Sequence, residues 1–395
     1  MTVVKKYYQL RRDLIKHFYY NKSLSISELS KLTHKSVPLV TSAVNSLVDE
    51  GYVLEHGLAP STGGRRGLTF LLNSQKQRYI VAVAVDQMVT EIVIYDLLNN
   101  IKMSPEKKEF VLNDDPSMID EFAGFLKDYI ARSGIPINQF LGMGIGMPGF
   151  VNAEQGVNHS FFKTPQGVKL TRQLSQKTGL QVYIDNDSSL IALAELKFGA
   201  DKNLKDVLVV NIGWGTGLGM IVNGSLFRGS SGYAGEFSHI PLSQSNKICW
   251  CGKRGCLEVD TSLLVLLEKA KSEMEAGVSS SMVQAYMEKG SLSGDNFLYA
   301  AKSGDPLAVS ILSDAAFLIG KGISTLIHIM NPRLIVLSGR GAVAGKILIA
   351  PIQQAINEFC IPWLAEQTEI KVSTLPSSQE LLGAATLVIE NCSFD

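Results

Sequence analysis

The sequence predicts a mixed α/β chain, with a small helical head over residues 1–72 and a two-lobed α/β body. Three observations carry this. Three helix-period segments precede two short strands before residue 72. Beyond residue 78, a strand–strand–helix–strand succession occurs twice, the pattern of two α/β lobes. The charge is also divided. The 395 residues hold 37 Lys+Arg and 37 Asp+Glu, yet 1–72 holds ten basic and five acidic residues, leaving 27 and 32 for the rest. Overall neutrality excludes a uniformly basic nucleic-acid binder, but a basic head on an acidic body points to two different partners. A hydrophobic share of 46% and a charged share of 19% allow a sizeable core and exclude a largely disordered chain.

In the head, Leu10, Leu14, Ile15 and Phe18 recur at helical spacing between Tyr7 and Tyr20. Ser27 is expected to open a second short helix, with Glu28 near its positive end. A turn at Thr33–Lys35 leads to a third helix starting near Ser36, where Pro38 is tolerated in the first turn. Val37, Val40, Val44, Leu47 and Val48 form its expected buried stripe. Lys35, Ser36, Thr41, Ser42 and Asn45 are left outward, short polar or basic side chains suited to base edges and phosphates. Tyr52–Glu55 and Leu68–Leu72 read as strands joined by a glycine-rich tip carrying Arg65 and Arg66. This is a winged helix-turn-helix plan, with operator DNA the expected partner. A helical dimerisation module is the competing reading.

In the body, Tyr79–Asp86, Glu91–Tyr95 and Lys108–Leu112 read as strands, Ser117–Ala131 as a helix, and Leu141–Gly146 as a strand entering Met147-Pro148-Gly149. The strand Gln181–Ile184 precedes a helix, Ser188–Phe198, which Asp187 could N-cap. The second cycle has strands Val207–Ile212 and Gly217–Val222, the helix Phe317–Met330 and the strand Leu334–Gly339. Two such halves suggest a sugar kinase/actin-like (ribonuclease H-like) body. The expected lobes are 73–190, completed by 380–395, and 191–379. Met1–Lys6 lacks the apolar core of a signal peptide, and no uninterrupted apolar run reaches about 18 residues. A cytoplasmic protein without membrane insertion is expected.

Three of the five cysteines, Cys249, Cys251 and Cys256, fall within eight positions, which reads as metal binding. With His239 they form H-x9-C-x-C-G-x2-G-C, followed by Leu257-Glu258. On this pattern, and on Asp185-Asn186-Asp187 after a strand, the chain resembles the winged-helix repressor branch of the ROK family. One imidazole and three thiolates make a closed tetrahedral set, so one structural zinc per chain is expected on His239, Cys249, Cys251 and Cys256.

The resemblance implies a sugar site made by Asn186, Asp187, Glu236, His239 and Glu258, with Gly149 as a backbone contact. In the family's kinases the aspartate that Asp187 matches is the catalytic base. It further implies a sugar-responsive transcriptional repressor that is a homodimer or homotetramer, with a sugar or sugar-phosphate effector. A regulatory protein partner is a further option.

No catalysis is expected. The family's kinases carry D-x-G-G-T after their first strand, whereas this chain has Asp86-Gln87-Met88-Val89-Thr90. Met88 and Val89 put side chains where phosphate must approach backbone. Gly213–Gly219 keeps the second glycine loop. An ATP-dependent sugar kinase with a regulatory head is therefore the alternative. Asn158–Lys163 is a further candidate sugar segment, with Phe161 and Phe162 read as core.

Overall fold

A computed structural model describes residues 3–58, 66–113, 115, 117–201, 203–376 and 378–394. The chain divides into two units, one formed by Met1–Asp185 with Ala384–Asp395 and the other by Asn186–Gly383.

The first unit begins with α1 (Val3–Tyr20), β1 (Leu24–Ser25), α2 (Ile26–Thr33), α3 (Val37–Asp49), β2 (Val53–Leu58) and β3 (Leu68–Leu72). The strands form an antiparallel sheet in the order β1-β3-β2. This is the element order of a winged helix-turn-helix. The cap of α2 is Ser25 rather than Ser27. Its hydroxyl accepts from the Glu28 N–H while the Glu28 carboxylate accepts from the Ser25 N–H, a capping box. The buried stripe of α3 is Val40, Ala43, Val44 and Leu47. Val37, in the exposed first turn of α3, faces solvent, and Val48, in its last turn, is half-buried. Arg65 lies outside the described residues.

The rest of this unit is β4 (Tyr79–Val85), β5 (Val89–Asp96), β6 (Ile101–Glu109), α4 (Met118–Arg132), β7 (Phe140–Met147), β8 (Val151–Asn152), β9 (Val157–Asn158), α5 (Leu170–Thr178) and β10 (Val182–Asn186, whose last residue opens the second unit). The strand expected at Lys108–Leu112 runs instead over Ile101–Glu109. It is a largely exposed edge strand whose pairing with β5 sets its register, so hydrophobicity gave no signal for it.

The second unit holds α6 (Asp187–Phe198), β11 (Val207–Ile212), β12 (Thr216–Val222), β13 (Ser225–Leu226), α7 (Glu258–Thr261), α8 (Leu263–Glu275), α9 (Val283–Lys289), α10 (Gly294–Lys302), α11 (Pro306–Met330), β14 (Leu334–Ser338), α12 (Lys346–Phe359), α13 (Pro362–Ala365) and β15 (Glu369–Val372). The final helix, α14 (Gln379–Asn391), starts in the second unit and ends in the first.

The two five-stranded sheets share one topology, β10-β7-β4-β5-β6 and β15-β14-β11-β12-β13. In each, a β-meander continues into parallel strands, through β4∥β7 and β11∥β14. The duplicated plan expected for the body is therefore present. Among the described residues α11 alone is long and apolar enough to cross a membrane. However, 61% of its apolar window is buried, and Ile311, Ile319, Ile323 and Ile327 lie in the core of the second unit. These are the features of a core helix.

Candidate functional site

The sequence of β10 and α6 places two polar side chains at a strand-to-helix junction. Asn186, not Asp187, is the N-cap of α6. Its Oδ1 accepts from the N–H groups of Ser188 (3.0 Å) and Ser189 (3.3 Å). Asp187 is then the first helical residue. Its Oδ1 accepts from the Ser188 N–H at 2.7 Å and its Oδ2 from Asn211 Nδ2 at 3.3 Å. Asn211 is a buried amide within the otherwise apolar β11.

Glu258 is 8% exposed at the start of α7, where Oε2 accepts from the Thr216 N–H at 3.0 Å. Burial pushes its carboxyl up to about 7. The Thr216 N–H works against that rise and the Asp187 charge adds to it. Partial burial, then the charges of Asp187 and Glu258, hold Glu236 up at about 7, although 39% of its side chain meets solvent. Glu236 Oε2 lies 3.8 Å from His239 Nε2. Asp187, Glu236 and Glu258 thus converge in the second unit. Carboxyl groups accept hydrogen bonds, and a polyol is one ligand that supplies several donors. Gly149 sits in the first unit on the turn after β7, at φ +89°, against Ser160.

On its Nδ1 side His239 meets the cysteines. Nδ1 is 3.6 Å from Cys249 Sγ, and Cys251 Sγ is 3.6 Å from Cys256 Sγ. The four donor atoms lie within 4.8 Å of one another. Donor–donor edges of about 3.6–3.8 Å follow from tetrahedral zinc with bonds of about 2.0–2.3 Å, so the cluster fits a metal ion. Burial and the neighbouring thiols push Cys256 up to about 12, and a bound cation reverses that preference. The same imidazole therefore faces thiols on one side and the Glu236 carboxylate on the other.

The turn between β4 and β5 closes on itself. Asp86 Oδ1 accepts from the N–H groups of Met88 (2.8 Å) and Val89 (2.7 Å), and the Asp86 N–H donates to the Val89 carbonyl. The N–H groups of Asp86, Met88 and Val89 are thus engaged within the turn. Asn158 is likewise engaged. It is buried, donates to the Pro148 carbonyl at 3.0 Å, and accepts from the N–H groups of Ser160 and Phe161. It shapes the Gly149 turn. Phe162 is core, packed on Phe110 and Phe122, and Phe161 is half-buried against the same core.

On the head, Lys35, Ser36, Ser42, Asn45 and Arg66 are exposed, and Thr41 is half-buried with its hydroxyl donated to the Val37 carbonyl. Asn211 and Thr216 were missed in the sequence. The available signal for Asn211 was one amide interrupting the run V-L-V-V-N-I.

The ROK family model matches residues 106–391. The chain belongs to the ROK family. It is 28% identical to the xylose repressor of Caldicellulosiruptor bescii, over 94% of this chain and 93% of that protein. It is 31% identical to the glucokinase of Halalkalibacterium halodurans, over 64% of this chain and 77% of the enzyme. Among solved structures, a ROK family transcriptional regulator described as a homologue of the E. coli Mlc protein superposes with a TM-score of 0.74. That match has 24% identity and covers 93% of this chain and 91% of the other. ROK relatives thus include both repressors and kinases, and the repressors share the head.

Proposed function

We propose that this ROK protein is a sugar-responsive transcriptional repressor. The observation that carries the reading is the union of two features. A basic head presents the polar face of α3, while the phosphate-facing turn of the body, at Asp86–Val89, has its donors engaged from within. The near-full-length likeness to a xylose repressor supports it. In this reading Lys35, Ser36, Thr41, Ser42, Asn45, Arg65 and Arg66 meet operator DNA. Asn186, Asp187, Glu236, His239 and Glu258, with Gly149, meet a sugar or sugar phosphate. His239, Cys249, Cys251 and Cys256 hold one structural zinc, which fixes His239. The working assembly is a homodimer or homotetramer, because paired heads match half-sites about one helical turn apart. A DNA regulator whose five cysteines form no disulfide fits the cytoplasm.

Thermal-shift screening of sugars and sugar phosphates, with and without ATP, tests the reading. A shift with one sugar and none with ATP is expected. The kinase alternative draws on the glucokinase relative and on the oriented Asp187. ATP-dependent phosphorylation of a hexose, abolished by Asp187→Asn, would establish it instead. For the head, affinity for DNA should fall steeply with added salt. Asn45→Ala should relax sequence choice without changing that slope.

A further inference from the structure

Helix α1 carries Lys16, Tyr19 and Tyr20, residues at spacings of three and four that share one face. Each side chain ends on the body of the first unit. Lys16 Nζ donates to Glu390 twice, to Oε2 at 2.9 Å and to the backbone carbonyl at 2.8 Å. Tyr20 donates its hydroxyl to the other oxygen of the same carboxylate, Oε1, at 2.7 Å. Tyr19, 6% exposed, donates to the Asn99 side chain in the turn between β5 and β6. A fourth tie comes from the start of the wing, where the Tyr52 hydroxyl donates to the Phe394 carbonyl at 3.2 Å.

The head is therefore not tethered by its linker alone. The last turn of α14 grips it, and Glu390 is the centre of that grip. Its two carboxylate oxygens are shared between two residues of α1, and only 28% of its side chain is exposed, against 16% for Lys16. Helix α1 in turn lies against α3, where the Tyr7 hydroxyl reaches the Ser42 carbonyl.

We propose that Glu390 is a positioning residue for DNA recognition. It fixes α1 on the body of the first unit, and so fixes the direction in which α3 is presented. The consequence for DNA rests on reading the head as a DNA binder. The grip itself does not. Two heads engaging two half-sites gain from being held, since a loose head must be ordered on binding.

The full-length protein tests this with two readouts. Hydrogen exchange reads the grip. Glu390→Ala should raise exchange in α1 while leaving β7 protected. Unchanged protection of α1 overturns the proposal, as does equal loss in β7, which would mean general unfolding. Binding reads the consequence. The probes are duplexes carrying one or two copies of a half-site selected from random DNA by the wild-type protein. Glu390→Ala should weaken two-site binding by about tenfold, the scale of a charge-assisted hydrogen bond, and leave one-site binding and its salt slope unchanged. Glu390→Gln, which keeps both an acceptor for Tyr20 and a polar group for Lys16, should restore most of the two-site affinity. Equal effects on one-site and two-site DNA overturn the positioning role. If the wild-type protein selects no DNA, the repressor reading fails, and hydrogen exchange still decides the grip.

Discussion

Asn211 reaches from β11 to the first turn of α6, donating to Asp187 Oδ2 at 3.3 Å and to the Ser188 hydroxyl at 3.0 Å. A buried amide thereby orients the carboxylate at the centre of the candidate sugar site. Replacing it with Ala leaves Asp187 without that donor, and one such bond contributes about 1 kcal/mol. Asn211→Ala should weaken sugar binding about fivefold by calorimetry, with a fold otherwise like the wild type. Asn211→Asp should do more damage, because it sets a fourth acid beside Asp187, Glu236 and Glu258.

The cysteine cluster predicts its own stoichiometry. Elemental analysis of reduced protein should give one zinc per chain. Cys251→Ser should release the metal and lower the melting temperature, since folding in closed sites of this kind depends on the ion. Finding no metal would refute the site.

Glu195 offers a pH test. It is 7% exposed in α6, and the Ser338 and Ser373 hydroxyls donate to it. Burial raises its carboxyl above the ordinary 4.5, against the lowering effect of those two bonds. A folded-state value above the unfolded one gives stability that is full below about pH 4.5 and is lost as pH rises through the folded value. Glu195→Gln removes that dependence. The melting temperature of the wild type relative to Glu195→Gln should therefore fall as pH is raised from about 4 to 8.

Gly144 packs β7 against α14. A Cβ there would lie 2.0 Å from the Ala384 carbonyl oxygen and 2.8 Å from its carbon. Backbone cannot yield as a flexible side chain does, so Gly144→Ala should cost about 3 kcal/mol in denaturant unfolding. Exchange of α14 beyond Ala384 should rise with it.

The sequence made the head legible because its helices obey the 3.6-residue period, and the body legible because Val207–Ile212 and Leu334–Ser338 are dense apolar strands. The cysteine spacing marked the His239–Cys249–Cys251–Cys256 cluster directly. What it concealed depended on tertiary neighbours. Ser25 and Ser27 are equally good caps until Leu24 and Ser25 pair with β3 and fix where α2 begins. Asn186 and Asp187 are both competent caps, and only the end of β10 at Asn186 assigns the role. Ile101–Glu109 carries so many charges that nothing local marks it as a strand. Asn211 gains its role only because β11 runs beside α6. The helices between α7 and α11, and α12 after β14, were not read from the sequence.

The first unit is discontinuous in sequence, and this sets an order of events during synthesis. Val388 packs on Gly144 and Glu390 grips α1, yet the 198 residues from Asn186 to Gly383 are made between the two halves of that unit. At ribosomal rates of about 5–20 residues per second, that is a delay of about 10–40 s. Throughout it the head is exposed to the cell without its anchor. A nascent chain can thus form its winged helix early but meets its contacts on α14 only after the second unit has been made.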